Sequence, residues 1–198
     1  MIQLFLKGGP VMWPLLLTSI TALAVVVERI LFLLGESHRR DPKVLNTILT
    51  LVEAGKADEA AAAGSSSRDP VVQVLVSGLQ SRGESYTNAI LRKANETLKS
   101  YNRGLSTLDT IITLAPLLGL LGTVTGMIRA FGLIGNQEIG MPTAITGGIA
   151  EALIATAFGL GIAIVALIPF NCLNARQEEV RHEIEDTASQ LEILLAKR

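Results

Sequence analysis

The chain has 198 residues, of which 49% are hydrophobic and 18% are charged, and its mean hydropathy is +0.44. A soluble domain has about 25% charged residues, so this composition excludes an ordinary soluble core, a disordered chain and a collagen-like repeat. The net charge of −1 gives no reason to expect a nucleic acid as a partner. The single cysteine, Cys172, excludes an internal disulfide and a cysteine-based zinc site, and two histidines alone make no metal cluster.

Three long apolar stretches predict three transmembrane helices, at 11–34, 105–134 and 143–173. A bilayer core of about 30 Å requires about 20 helical residues at a rise of 1.5 Å each. The sequence therefore predicts an all-α, polytopic membrane protein with a short N-terminus at 1–10. A cleavable signal peptide is the competing interpretation of the first stretch, because Lys7 precedes it and Ala22-Leu23-Ala24 has cleavage spacing. A retained span is favoured because the apolar run continues to Leu34.

The distribution of Lys and Arg predicts the orientation of these spans. Ten of the 17 basic residues lie in segment 35–104 and four lie in the tail 174–198, whereas the short link 135–142 has none. The segment and the tail are therefore predicted to be cytoplasmic, and the N-terminus and the link to lie outside. Arg29 and Arg129 lie near span ends and are predicted to reach the lipid headgroups by snorkelling.

Segment 35–104 is predicted to be helical. Apolar residues from Val44 to Val52 recur at helical spacing and predict a helix that stops at Gly55. Residues 57–63 predict a second helix, Asp69-Pro70 predicts the start of a third, and 90–101 predict a fourth that runs on into the second span. The tail 174–198 is predicted to continue the third span as a polar helix.

The second and third spans each have one face of small residues and one face of bulky residues, at 100° per residue. On the second span the small face carries Thr123 and three glycines, which are Gly119, Gly122 and Gly126. On the third span it has Glu151 at one edge and Thr156 at the other, and between them lie Gly148, Ala152, Ala155, Gly159 and Ala163. Helix packing is the simpler interpretation of such stripes. The other interpretation is a smooth face that slides against a partner.

Glu151 is the residue that helix packing explains least. A carboxylate within a span costs about 2.5–3.5 kcal/mol on insertion scales, and such residues usually face a cavity or a partner along an ion path. Thr123 lies about 16 Å and Thr156 about 20 Å from the outer ends of their spans, with Glu151 about one turn nearer the outside. The two hydroxyls and the carboxyl are therefore expected to line one polar site, and Thr123, Glu151 and Thr156 are the predicted ion-path residues.

Three segments resemble the MotA/TolQ/ExbB proton-channel family, most closely its ExbB-type members and next its TolQ-type members. They are LAPLLGLLGTVTGMIRAF at 114–131, GGIAEALIATAFGLGIAIVALIPFN at 147–171, and GGPVMWPLLLTSITALAVVVERILFLL at 8–34. The flagellar stator branch of the family typically has four spans, so three spans favour the ExbB or TolQ branch.

The resemblance implies a multi-pass subunit of the bacterial inner membrane that assembles as a homopentamer around a pore. In the family, that pore holds the helices of ExbD or TolR, whose aspartate carries the proton, and the complex then acts on TonB or TolA. Thr123 in GLLGT, and Glu151 and Thr156 in GIAEALIAT, are the positions that match the family's ion path. The resemblance thus implies an ion-driven motor that energises TonB-dependent transport, with no cofactor beyond the transported ion.

Three alternatives stay open at this point. Hydroxyl and carboxyl oxygens can bind sodium as well as a proton, so sodium is an alternative driving ion. A TolQ-like role in outer-membrane maintenance fits the same motifs. A passive membrane scaffold would use Glu151 to pair with a partner's base, and Glu151→Gln is the variant expected to separate a scaffold from an ion path. An intramembrane enzyme needs paired acids, a serine with a histidine, or a metal motif inside the membrane. The spans contain none of these, so no enzyme is predicted.

Overall fold

The computed structural model describes residues 5, 7–81, 86–132 and 142–196, and this part of the chain contains helices and no strand. The all-α prediction is confirmed. The helices with described bounds are α1 (Met12–Ser37), α2 (Pro42–Glu53), α3 (Ala57–Gly64), α4 (Pro70–Gln80), α5 (Tyr86–Asn102), α6 (Leu105–Gly132) and α7 (Pro142–Ala196).

Three helical stretches among the described residues are long and apolar enough to cross a membrane. The first is α1, the second is Tyr86–Gly132, which comprises α5, α6 and the turn between them, and the third is Thr146–Leu195 within α7. The number of predicted spans is therefore confirmed. Their orientation stays a prediction.

The predicted continuation of the fourth helix into the second span is interrupted. Helix α5 ends at Asn102 and α6 begins at Leu105, with Arg103 and Gly104 forming a turn between them. Gly104 has φ +81°, a left-handed conformation that glycine adopts without the steric cost of a Cβ atom. The predicted link at 135–142 lies outside the described residues except for Pro142, where α7 begins.

The chain divides into two compact units, a span unit and a helical unit. The span unit comprises Met1–Glu28 and Gly104–Cys172. In it, α1 and the residue before it pack Val11, Met12 and Leu15 onto Ala115 of α6, all of them buried. The surrounding partly buried side chains are Leu118 of α6 and, on α7, Phe158 and Ile162, together with Phe5. One side of the α6–α7 pair is therefore covered by α1.

The helical unit comprises Arg29–Arg103 and Leu173–Arg198. Its core is formed by one face of each of its helices, and α4 contributes the largest share, from Val71 to Val76. Proline at the first turn and an aspartate cap start both α2 and α4, because Asp41 accepts from the Val44 N–H and Asp69 from the Val71 N–H. The apolar periodicity seen in the sequence thus becomes the buried face of these short helices.

A buried charged cluster lies at the start of α4 in the helical unit. Asp69 is fully buried and accepts from the Asp41 N–H at 2.7 Å, and Arg40 Nε lies 3.4 Å from its carboxylate. Arg40 also donates to Glu183 of α7. Burial by itself lowers the pKa of the Arg40 guanidinium, but the Glu183 hydrogen bond and the charges of Asp69 and Glu183 raise it above its ordinary value.

Arg29 does not snorkel. Its side chain is buried in the helical unit, donates to the Ser100 carbonyl at 2.9 Å and lies 4.8 Å from the centre of the Phe32 ring. The guanidinium therefore satisfies part of its hydrogen-bonding capacity inside the unit and gains a cation–π contact. The sequence placed this arginine correctly at a span end but did not reveal the helix that buries it.

Candidate functional site

Helices α6 and α7 pack against each other along a line of glycine and alanine residues, which we call the seam. A Cβ atom added at Gly119 would lie 3.1 Å from the Thr156 Cα, and one added at Gly126 would lie 2.9 Å from the Gly148 carbonyl oxygen. Both distances are to backbone atoms, so the two helices touch directly along this line. Residues with increasing numbers along α6 contact residues with decreasing numbers along α7, so the two helices are antiparallel.

The predicted small residues lie in or beside this seam. Gly119, Gly122 and Gly126 of α6 are buried, as are Ala152, Ala155, Gly159 and Ala163 of α7, and Gly148 is half-buried. Ala155 and Gly159 contact Gly122 and Gly119, respectively, within the same chain. Residues enclosed in this way do not offer a sliding face to a partner. The structure therefore supports helix packing as their role.

The two predicted threonines are both half-buried and bond to backbone carbonyls. Thr156 Oγ1 donates across the seam to the Gly119 carbonyl at 3.0 Å, and its own helix offers the Ala152 carbonyl at 3.3 Å. Thr123 Oγ1 donates to the Leu120 carbonyl at 2.6 Å. A hydroxyl that donates its proton in this way keeps its oxygen lone pairs for a proton donor or a cation.

Helix geometry places Thr123 and Thr156 on the same face of the α6–α7 pair. At 100° per residue, Thr123 lies roughly 70° to one side of the glycines that face α7, and Thr156 lies roughly 70° to one side of the residues that face α6. Because the helices are antiparallel, these two rotations point to the same side. Exposed leucines flank the hydroxyls there, among them Leu120, Leu153 and Leu160. We call this surface the threonine face.

Glu151 lies on the opposite face, about 70° to the other side of the seam. Leu118, Phe158 and Ile162, which pack against the α1 cluster, lie on this side as well. The expectation that the carboxyl and the two hydroxyls line one polar site is therefore not met within one chain. Helix geometry thus places the two hydroxyls on one face of the α6–α7 pair and Glu151 on the other.

Glu151 has a partner that the sequence analysis missed. Its Oε1 lies 2.9 Å from Nη1 of Arg129, and the two side chains are 21% and 51% exposed, respectively. Arg129 therefore has a partner within the chain, and its predicted snorkelling stays a prediction. Both residues lie near the ends of their spans that the short link joins, and this was the signal available in the sequence.

Gly9 is the second residue that the sequence analysis missed. It has φ +73°, and a Cβ atom added to it would lie 1.8 Å from the Glu151 Oε1. The backbone before α1 therefore lies directly on the carboxylate. No sequence pattern links position 9 to position 151, because the contact depends on how α1 docks.

Residues 66–186 match the MotA/TolQ/ExbB proton channel family. The chain belongs to this family. The matched range contains α4 to α6 and most of α7, and it therefore includes both threonines of the threonine face as well as Glu151. Members of the family are membrane-embedded channel and transport-energising subunits and not enzymes, and the three apolar helices make this member a multi-pass membrane protein.

Several curated relatives are similar over most of the chain. The putative biopolymer transport protein ExbB-like 1 of Synechocystis is 38% identical over 96% of this chain and 77% of the relative. The ExbB-like 3 protein of the same organism is 30% identical over 96% of this chain and 92% of the relative. The Tol-Pal system protein TolQ of Haemophilus influenzae is 31% identical, but over 52% of this chain and 46% of the relative. The two Synechocystis relatives, which match nearly the whole chain, both have ExbB-like names, in agreement with the resemblance seen in the sequence motifs.

The expected absence of a cofactor stays a prediction. Among the residues that the structure describes, no group of three or more His, Cys, Asp or Glu side chains is placed to hold a metal ion.

Proposed function

We propose that this chain is the pore-forming subunit of an ion-driven motor in the bacterial inner membrane. In this proposal it couples inward proton flow to mechanical work on a TonB-like protein that acts across the periplasm. Membership of the family and the ExbB-like names of the relatives that match nearly the whole chain support the proposal. The single structural observation that carries it is the pair of hydroxyls on the threonine face, which α1 leaves uncovered.

Several copies of the chain, five in our proposal, would surround an axis with their threonine faces inward. Each copy then contributes Thr123 and Thr156 to a ring of hydroxyl oxygens at mid-depth, flanked by exposed leucines. A single-span partner of the ExbD or TolR type would occupy the centre and supply the acid that carries the proton. The surrounding apolar side chains exclude water, which strengthens every polar contact that the hydroxyls make with the moving charge.

The membrane potential supplies the driving force in this proposal. Moving one elementary charge through a potential of 100 mV releases about 2.3 kcal/mol. Alternate protonation of the partner's acid would then shift the partner between positions inside the ring.

Removing the threonine hydroxyls tests the proposal. We expect Thr123→Val and Thr156→Val each to lower the proton flux per assembled complex by about tenfold or more, because a hydrogen bond to a charged group is worth about 1.5–3 kcal/mol. The measurement is dye-reported acidification of liposomes that contain the full chain with a single-span partner of the ExbD or TolR type, driven by a potassium diffusion potential. Serine at either position should keep most of the flux.

Thr125→Val is the matched control for this experiment. Thr125 lies on the same helix and donates to its own backbone at Leu121, 2.9 Å away, but helix geometry places it on the face away from the threonine face. This variant should conduct as the native complex does. Full flux through the two valine variants at 123 and 156 would contradict the role of the hydroxyls in the ion path. A native complex that conducts no protons would contradict the motor and favour a passive scaffold.

Sodium as the driving ion and a TolQ-like role are the alternatives to be tested alongside. Flux that persists in the presence of a proton uncoupler and requires a sodium gradient would establish sodium. The partial match to TolQ of Haemophilus influenzae is the observation that favours the second alternative. Complementation of a strain that lacks the TolQ-type protein, compared with one that lacks the ExbB-type protein, separates these branches.

A further inference from the structure

Three segments of the span unit meet at the Glu151 carboxylate. Its Oε1 lies 2.9 Å from the Arg129 guanidinium near the end of α6, and the backbone of Gly9 lies against the same oxygen. The carboxylate is 21% exposed, so it is largely enclosed by these neighbours. Glu151 of α7 therefore contacts both the turn before α1 and the end of α6.

Gly9 fits this junction because it has no side chain. A Cβ atom at position 9 would overlap the Glu151 Oε1 at 1.8 Å and its Cδ at 2.6 Å. The φ of +73° at Gly9 is also one that other residues adopt only at a steric cost. The adjacent Gly8 is also close to its surroundings, since a Cβ there would lie 2.5 Å from Met12 Cγ of α1 and 3.1 Å from Ile154 Cγ2 of α7. The turn is therefore fitted to α7 at two consecutive positions.

We propose that Arg129 is a positioning residue that holds Glu151 in this junction and away from the threonine face. The inference rests on the proposed function, because it assigns to Glu151 the task of fixing the helices that present Thr123 and Thr156. The helix rotation supports this assignment, since Glu151 and Arg129 both lie on the side of the seam that packs against α1. The carboxyl group that carries the moving proton is then supplied by the partner alone.

This assignment changes what Glu151→Gln can show. Neutralising Glu151 alone leaves the Arg129 guanidinium without its carboxylate, so a loss of activity would follow from either role. The informative variant is Arg129→Gln combined with Glu151→Gln, because it removes both charges together and allows two amides to bond to each other. It separates a carboxylate that pairs from a carboxylate that lies on the ion path.

The experiment compares the two single variants, the double variant and Arg129→Lys in the full-length complex. Proton flux is divided by the amount of assembled complex, so that lost assembly does not count as lost function. We expect each single glutamine variant to lower this flux by about tenfold, since each breaks a charged hydrogen bond. The double variant should return to within about threefold of the native flux, and Arg129→Lys should be intermediate because an ammonium retains the charge but not the guanidinium geometry.

Two outcomes would overturn the inference. One is a double variant as inactive as Glu151→Gln while Arg129→Gln keeps full flux, which would place the carboxylate itself on the ion path. The other is a set of single variants whose flux per complex is unchanged, which would give the pair no role in positioning. Thermal unfolding of the same four variants in detergent reports the coupling between Arg129 and Glu151 without any flux. If the native complex proved to conduct no ions, the proposed function would fail while this unfolding cycle would still test the pair.

Gly9→Ala provides an independent check on the junction. The added methyl group would displace the carboxylate, so we expect a loss of flux per complex similar to that of Glu151→Gln and a lowered unfolding temperature. Gly161→Ala is the control, because a Cβ at Gly161 meets nothing within 4 Å. Equal behaviour of these two alanine variants would overturn the role of the turn.

Discussion

Gly159→Ala is expected to destabilise the chain by about 3 kcal/mol, which is at the upper end of the cost of overpacking a well-packed core. The added Cβ would lie 2.5 Å from the Ala115 carbonyl oxygen and 3.1 Å from the Gly119 Cα. Both are backbone atoms of α6, so no side-chain rotation can relieve the overlap. The helices must separate, and every small-residue contact along the seam weakens with them. Thermal unfolding of the detergent-solubilised protein, followed by circular dichroism, should show a midpoint lowered by roughly 6–12 °C.

Gly161→Ala is the matched control, since it is the same substitution two residues along the same helix. Its Cβ meets no atom within 4 Å, and alanine favours a helix over glycine by about 1 kcal/mol. We therefore expect a midpoint that is unchanged or slightly raised. If Gly159→Ala were tolerated as well as Gly161→Ala, the seam would not be the close contact described above. Since Gly159 is buried within one chain, its effect should appear before any partner is added.

The seam shows how much of the site a sequence of this kind can reveal. A helix repeats every 100°, so Gly119, Gly122 and Gly126 necessarily share one face, and the arithmetic identified that face without coordinates. Span number and helix type follow as directly from length and hydropathy. Small residues allow two helices to approach each other closely, so the contact between the two small-residue faces could be predicted as well.

The side of the α6–α7 pair on which α1 docks could not be predicted from the sequence. Whether Glu151 or the threonines are covered depends on which side of the α6–α7 pair α1 docks on, and no local pattern encodes that choice. For the same reason Arg129 and Arg29 were both interpreted as snorkelling residues, although one pairs with Glu151 and the other is buried beside Phe32. A charged residue at a span end can either reach the lipid headgroups or bind a neighbouring residue, and the choice depends on which residues lie beside it.

The span unit and the helical unit satisfy their buried charges in different ways. In the span unit, Glu151 is partly exposed and is contacted by one guanidinium, that of Arg129, and by the backbone of Gly9. In the helical unit, Asp69 is fully buried and is surrounded by backbone donors and a guanidinium. A buried acid that satisfies several donors is difficult to replace, so Asp69 should be more sensitive to substitution than any exposed acid of the same unit.

Asp69→Ala is accordingly expected to cost about 3–5 kcal/mol, because it leaves two backbone donors without their acceptor and weakens the ion pairing of Arg40. The substitution removes the acceptor of the Val71 N–H at 2.9 Å and of the Asp41 N–H at 2.7 Å, and it also removes one of the two carboxylates beside Arg40. Thermal unfolding of the full chain should therefore begin well below the native midpoint. Asp69→Asn should be intermediate, since its amide oxygen can still cap α4 while its amino group cannot accept from a second donor.

Glu59→Ala is the control for Asp69 in the same unit. Glu59 forms an exposed pair with Lys56 at 3.0 Å, with side chains 61% and 55% exposed, respectively. Such a pair contributes at most about 1 kcal/mol, so the variant should unfold close to the native midpoint. An Asp69→Ala protein that unfolded no earlier than Glu59→Ala would contradict the buried cluster. The order expected is Asp69→Ala lowest, Asp69→Asn next and Glu59→Ala near native, because it follows the number of buried donors that each substitution leaves unsatisfied.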